Sequence, residues 1–463
     1  MWRYYSCLVI ALFECLLLAW PLSARASFDL FSTQKYVASG PFAHVNEVCQ
    51  PDRIKNPLTL SDVVDLTLCN NPQTRSLWAS SRAQAAQLGA SLSSYLPTLS
   101  GPIAVTSSSA NAGPRTETKT ASVTLSYLLF DFGGRQAGVE NAKQLLMAAN
   151  ATRDSTLQTL YLNAVQAYYT LLSARASVQS FHAAEEAARR SMDAADARYQ
   201  AGTATPADRL QAQTALSQAA LNRIRGEGDA ASAQGALANI MGFEATQPFE
   251  LAAVPESVPD PVAEQSIGKL IEEARQNRPD LLAAEAQVKA AEAQVTSTKA
   301  AGLPSVSLSG SLSRSESQTA GVTTPIRSNS VGVSVSIPWF SGYRDTYNNR
   351  AAQAQLEGKV ANRDQLANQI SLDVWKAYQT LLTNSQALRA ADDLQTSAEQ
   401  SEKMATGRYQ AGTGSILDVL TAQSALVSAQ QQHVTALYNF QTSRFALAQA
   451  MGELDLTLLA TKK

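Results

Sequence analysis

RYQAGTATPADRLQAQTAL, running from Arg198 to Leu216, returns 210 residues later as RYQAGTGSILDVLTAQSAL, from Arg408 to Leu426. Each phrase carries the signals of a tight reversal between two helices. Gly202 and Gly412 suit the left-handed conformation that closes a helix C-terminus. Thr205 and Ser415 suit the N-cap of the next helix, with Pro206 at the first helical position of one copy. Asp208 and Asp418 follow those caps by three residues, the capping-box position, where a carboxylate also complements the helix dipole. On local physics alone a hairpin tip needs no other role, and Arg198 and Arg408 would simply offset the negative ends of the helices they close.

Working outward, the same offset aligns AYYTLL at Ala167 with AYQTLL at Ala377, ALANIMG at Ala236 with ALAQAMG at Ala446, and Phe130 with Phe340. Upstream the offset becomes 207: Asn71-Pro72 matches Arg278-Pro279, and YLPTLSG at Tyr95 resembles GLPSVSLSG at Gly302. The chain is therefore a tandem duplication. A first unit covers 58–250, a Pro-rich joint covers 251–267 with Pro255, Pro259 and Pro261, and a second unit covers 268–452. A segment at 27–57 precedes them and a tail at 453–463 follows. A period this long is too large for a solenoid.

Each unit has the same internal order. A helical segment (about 58–94, then 268–300) leads into two stretches of period-2 alternation. In SVTLSYLLF, Val123, Leu125, Tyr127 and Leu129 share a face; in SVGVSVSIPWF, Val331, Val333, Val335 and Ile337 do. Weaker strands precede these near 97–108 and 304–314, with polar loops at 111–119 and 315–329 between the members of each pair. A long proline-free region follows each pair. In the first, Leu157, Leu160, Tyr161, Ala164, Tyr168, Leu171 and Leu172 form a stripe at helical spacing. A helix from Gln136 to Tyr199 would be ~96 Å long, more than any compact globule needs. Return helices are expected over 206–241 and 416–451.

Residues 1–26 read as a signal peptide, with Arg3, the apolar run CLVIALFECLLLAW and Ala-Arg-Ala ending at Ala26. That run of 14 residues is shorter than the ~20 a spanning helix needs. Neither Cys7 nor Cys15 sits in a lipobox. Cys49 and Cys69 remain in an oxidising compartment; a disulfide is the default, and two free buried thiols are the alternative. Net charge is −2 and 16% of the 463 residues are charged, so nothing suggests a nucleic-acid partner. His44, His182 and His433 stand isolated, and no metal spacing, phosphate loop or nucleophile elbow occurs. No cofactor, metal or catalytic residue is expected, and the chain does not read as an enzyme.

Strands apolar on one face and small-polar on the other fit either a half-buried soluble sheet or a membrane barrel around a wet lumen. In a bilayer no strand edge can stay open, and small barrels use at least eight strands. Four strands per chain would then have to oligomerise to close.

The duplication, the NNP and NRP helix openings, LFDFGGR (129–135) and IPWFSGYR (337–344) entering the long helices, and the two RYQAGT tips together resemble the TolC family of outer-membrane exit ducts over about residues 58–452. TLCNNPQTRSLWASSRAQAAQ (67–87) is most like the CyaE-type branch, which serves type I secretion of a large protein toxin. The resemblance implies a mixed fold: four β-strands per chain forming a transmembrane β-barrel of twelve strands as a homotrimer, continuing into a long antiparallel α-helical coiled-coil tunnel. It implies a passive trans-periplasmic duct in the outer membrane, in contact with outer-membrane lipid and projecting into the periplasm. Its partners would be a periplasmic membrane-fusion adaptor and, through it, an inner-membrane ABC transporter. The adaptor would meet the tips at Arg198, Tyr199, Gly202 and Thr203 and at Arg408, Tyr409, Gly412 and Thr413. Asp208, Tyr409 and Asp418 fall on positions of the family's entrance network, whereas Gly414 and Thr421 replace its arginine and second aspartate. A multidrug efflux duct is the alternative function, and a soluble periplasmic coiled-coil scaffold a remote one.

Overall fold

The computed structural model describes residues 29–37, 57–109, 113–252 and 266–454. The expected signal peptide, most of segment 27–57, the centre of the Pro-rich joint, most of the tail and Cys49 lie outside the described residues. Cys69 is disulfide-bonded. After a short 3-10 turn at Thr33–Tyr36 the elements are α1 (Leu60–Asn70), α2 (Pro72–Leu92), β1 (Thr98–Ser100), β2 (Ile103–Ser108), β3 (Thr116–Phe130), α3 (Gly134–Gln200), α4 (Pro206–Ile240), α5 (Ile267–Asn277), α6 (Pro279–Ala300), β4 (Ser305–Thr319), β5 (Val322–Ser336), α7 (Arg344–Gln410) and α8 (Ile416–Met451). Helices α3 and α7 have 67 residues each, ~100 Å of helix at 1.5 Å per residue.

Two compact units cut across the two repeats. Among the described residues, one takes 29–37, 82–109, 113–146 and 293–350 and holds the sheet; the other takes 57–81, 147–252, 266–292 and 351–454.

The helix expected over 58–94 is broken at Asn71, and the one over 268–300 at Arg278. Both residues precede proline, whose ring clashes with a helical predecessor; their ψ angles are 129° and 120°. Each proline then opens a new helix at the position where its missing N–H costs nothing.

The sheet is antiparallel and four strands wide. The first expected strand is interrupted at Gly101–Pro102, and its two pieces, β1 and β2, both pair with β3; β3 pairs with β4 and β4 with β5. The strands run further than expected: the loop placed at 111–119 is strand from Thr116 onward, and the one placed at 315–329 is strand except at Ala320 and Gly321. β4 and β5 are joined by only Ala320 (φ 50°) and Gly321 (φ 83°), the two left-handed residues of a tight hairpin turn. The upper halves carry Thr-Glu-Thr-Lys (116–119) and Ser-Arg-Ser-Glu (313–316). Apolar alternation therefore stops before the strands do.

Directly opposed residues share a face, so the register sorts the sheet into two surfaces. One carries the rungs Val306–Val335, Tyr127–Leu308–Val333, Leu99–Leu125–Gly310–Val331 and Val123–Leu312. On the other, six successive β3–β4 rungs from Thr116–Thr319 to Ser126–Ser309 pair Ser or Thr with Ser or Thr. The apolar surface is bare in the chain, with Val331 84%, Val333 64% and Val335 59% exposed. The ten residue steps from Arg327 to Ile337 span ~34 Å in extended chain, or ~26 Å when tilted by about 40°, the height of a bilayer's apolar band.

Asp131 starts α3: its carboxylate accepts the Arg135 amide at 2.6 Å, and the Arg135 guanidinium returns to the Leu129 carbonyl at 3.2 Å and lies 5.0 Å from the Tyr95 ring.

The helical unit builds one joint twice. In the first copy Val63, Val64 and Leu68 of α1 pack with the expected α3 stripe (Leu157, Tyr161, Ala164, Tyr168, Leu171) and with Leu237 and Met241. In the second, Leu270 and Ala274 of α5 and Leu281 of α6 pack with Ile370, Val374 and Tyr378 of α7 and with Ala450 and Met451. Each return helix ends on a glycine pressed against a broken helix. Gly242 has φ +78°, and a Cβ there would lie 2.8 Å from the Asn70 carbonyl oxygen; at Gly452, φ +77°, it would lie 2.9 Å from Arg278 Cα. Asn71 and Asn70 donate to the Ile240 and Met241 carbonyls at 3.0 and 3.2 Å. Arg278 holds Asp280 with two bonds (2.6 and 3.0 Å) and reaches Asp373 on α7 at 3.2 Å. No described helix is long and apolar enough to cross a membrane.

Candidate functional site at the helix-hairpin tips

The two RYQAGT phrases are the reversals α3–α4 and α7–α8. In the first, the Gly202 amide donates to Tyr199 O at 3.0 Å and the Thr203 amide to Arg198 O at 2.9 Å, with Gly202 at φ +74°. These bonds satisfy carbonyls that a helix end would otherwise orphan. The Thr203 hydroxyl adds a second bond to Arg198 O at 3.1 Å, so the threonine of the phrase completes the helix stop. The second tip repeats this with Gly412 (φ +79°) and Thr413 on Arg408 O. There the Gly414 amide joins at 3.1 Å. A Cβ on Gly414 would lie 3.1 Å from Tyr409 N, so this winding is the tighter of the two.

Both return helices open with full capping boxes: Thr205 with Asp208 and Ser415 with Asp418. The Thr205 amide, and after it the Thr205 hydroxyl, hold Asp208 below its usual value of 3.8. The Ser415 hydroxyl, ahead of its amide and the Arg408 charge, does the same for Asp418. Because both folded values are depressed, the caps stabilise the tips fully above pH 3.8 and lose that contribution only as pH falls through the folded values. Protection factors of the tip amides, taken against the intrinsic exchange rate at each pH, should therefore be flat across neutral pH and fall only in acid.

The two tips dock on each other. Arg198 reaches from α3 to donate from Nη2 to the Tyr409 carbonyl, and its guanidinium lies 4.1 Å from the Tyr409 ring centroid. Tyr409 is only 8% exposed and packs in a cluster with Ala195, Ala212, Ile416 and Val419. Arg209 pairs with Asp196 at 2.8 Å and lies 5.6 Å from the Tyr199 ring. Ser191 and Gln423 hydrogen-bond between α3 and α8 at 3.1 Å.

The structure thus gathers Arg198 and Tyr409 into one contact. Asp208 and Asp418 each engage their own cap, and among the described residues no hydrogen bond joins either to Tyr409. Tyr199, Gly202, Thr203, Arg408, Gly412, Thr413 and the side chain of Asp418 face outward to a large degree. Sequence reading missed Arg209, Asp196, Ser191 and Gln423. One signal was present: the position aligned with Arg209 in the second tip is Val419, 2% exposed, so the copies differ where the tips join.

A sheet with one bare apolar face and one hydroxyl face, on a chain of paired long helices, fits the architecture of an outer-membrane channel protein. The chain belongs to the outer membrane efflux protein family, whose model matches residues 63–243 and 270–453. It is similar to protein CyaE of Bordetella pertussis, at 32% identity over 412 residues covering 88% of this chain and 86% of the relative. Outer membrane protein TolC of Escherichia coli is 24% identical over 354 residues, 74% of this chain and 71% of TolC. Among solved structures, CusC matches with a TM-score of 0.75 at 20% identity, covering 85% of this chain and 92% of CusC.

Proposed function

We propose that this protein is the outer-membrane exit duct of a type I secretion system, passing a large protein across the outer membrane without chemistry of its own. The observation that carries the protein-export reading is the likeness to CyaE along 88% of the chain at 32% identity, together with the CyaE-type motif at 67–87. Three copies close the four-strand sheet into twelve strands, removing the open edges a bilayer does not tolerate, and the hydroxyl face lines the lumen. A periplasmic adaptor meets the tips at Arg198–Thr203 and Arg408–Thr413, and an inner-membrane ABC transporter drives transport through it. The runner-up, a multidrug efflux duct, is favoured by the description of the family itself. Deleting the gene separates them. Loss of one large protein from the culture medium with unchanged drug tolerance supports protein export; unchanged secretion with increased drug sensitivity assigns the chain to efflux.

The entrance is held by the docking of tip on tip, with Arg198 as the fastener and Tyr409 as its seat. A cation–π contact plus a charged hydrogen bond contributes about 2 kcal/mol, equivalent to ~30-fold in an open–closed equilibrium. In planar bilayers Arg198→Ala should raise the open probability by about that factor, while Tyr409→Phe, which keeps both ring and carbonyl, should behave like the parent. Asp418→Ala should raise single-channel conductance or weaken cation block if the carboxylate faces the pore; unchanged conduction leaves it the capping role alone.

A further inference from the structure

Above its apolar band the outer face of the sheet carries a rung of different chemistry. Ile103, Ala121, Arg314 and Arg327 lie directly opposed in register across β2, β3, β4 and β5. Two arginines facing each other on neighbouring strands repel. Arg314 has a carboxylate partner, Glu316 at 2.6 Å on its own strand, and Lys119 is paired with Glu117 at 3.3 Å. Arg327 has no ion pair or hydrogen bond among the described residues, although it is opposed to another cation.

Between this rung and the next one down, Val123–Leu312–Asn329, a groove of 970 Å³ crosses the strands. Its floor is the backbone at Ser122, Ser313 and Ser328, whose side chains alternate to the other face. Leu99, Ile103, Val123 and Leu312 make its apolar walls, and Arg314, Arg327 and Asn329 close one end. The helices enter and leave the sheet at the opposite ends of the strands, at Phe130 and Ser336. The groove therefore belongs to the part of the band nearest the cell exterior.

We infer that this groove binds a phosphorylated glycolipid of the outer leaflet, with an acyl chain along Leu99, Ile103, Val123 and Leu312 and a phosphate between Arg314 and Arg327. The inference rests on the sheet being a membrane barrel wall. Apolar walls alone would suit any lipid tail. The phosphate of a zwitterionic headgroup brings its own ammonium beside Arg327, whereas a phosphate without that cation neutralises Arg327 and still accepts from the Arg314 guanidinium that Glu316 holds.

The test uses the full chain, assembled and purified in detergent, with native mass spectrometry as the readout. The probes are bis-phosphorylated lipid A, the same lipid dephosphorylated, phosphatidylethanolamine and inorganic phosphate. The parent protein should retain phosphorylated lipid A at least ten-fold better than the dephosphorylated form. Each arginine beside an anionic lipid contributes about 5-fold, so the double variant Arg314→Gln/Arg327→Gln should lose ~25-fold, with trimer heat-lability and conductance unchanged. Several results would overturn the site: equal retention of dephosphorylated lipid, an unaffected double variant, or competition by inorganic phosphate as strong as by the lipid. So would a Arg327→Gln variant whose trimer is weakened while lipid retention stays intact, since Arg327 would then serve a neighbouring chain. A chain that extracts without detergent would refute the membrane reading instead, and the two failures are told apart by that step.

Discussion

Gly452→Ala should abolish stable folding, whereas Gly412→Ala should be almost silent, although the two glycines have nearly the same backbone angle. Both are left-handed, at φ +77° and +79°, so alanine carries the same conformational cost of ~1 kcal/mol at either. The surroundings differ. Nothing lies within 4 Å of a Cβ on Gly412, while at Gly452 it meets Arg278 Cα and N and Asn277 C at 2.9 Å. Those are backbone atoms of a helix junction fixed by Asp280 and Asp373, and they cannot step aside as a side-chain end would. Overlap with fixed backbone adds several kcal/mol, a loss comparable with the whole stability of many domains. Gly242→Ala should match Gly452→Ala, with its clash at 2.8 Å on Asn70. The measurement is the denaturant midpoint of each variant beside the heat-lability of the oligomer on gels. Equal effects at Gly412 and Gly452 would mean that conformation alone, and not close approach, requires glycine there.

Val333→Arg should block outer-membrane insertion, and Gly332→Arg, one residue away, should leave it intact. Val333 sits mid-band on the rung with Leu308 and Tyr127; Gly332 opposes Ser309 on the hydroxyl face. An arginine on the lipid side of a barrel costs about 2–4 kcal/mol near the midplane, in every chain of the assembly. An arginine at Gly332 enters a wet lumen, where nothing lies within 4 Å to obstruct it; it should lower cation conductance without hindering assembly. Fractionation of outer membranes reads the first effect and planar bilayers the second. A soluble scaffold would show neither, because 64% exposure of Val333 to water leaves room for a charge.

The parts legible in the sequence were those governed by local rules. The α3 stripe from Leu157 to Leu171 is buried as its spacing implied, because a helical period sustained over four turns leaves little alternative. The capping boxes and left-handed glycines of both tips were equally readable, since each needs only residues within one turn. The breaks at Asn71 and Arg278 were masked because apolar periodicity runs straight across them, although the following prolines were in view. The strands outran their apolar alternation, as their upper rungs carry charged residues on one face and Ser or Thr on the other. The Arg198–Tyr409 contact was illegible for a different reason. Arg and Tyr occur in both copies of the phrase, and nothing local says that the first arginine engages the second tyrosine across 211 positions.

The hydroxyl face of the sheet has a kinetic meaning. Its side chains are short, and neighbouring strands already engage some of them with each other: Thr116 with Thr319 at 2.9 Å and Ser311 with Ser330 at 2.8 Å. A polypeptide sliding over such a wall meets neither the stacking surfaces of aromatic rings nor the fixed counter-ions of charged rungs. On the proposed duct reading, friction against this wall is low and nearly independent of cargo sequence.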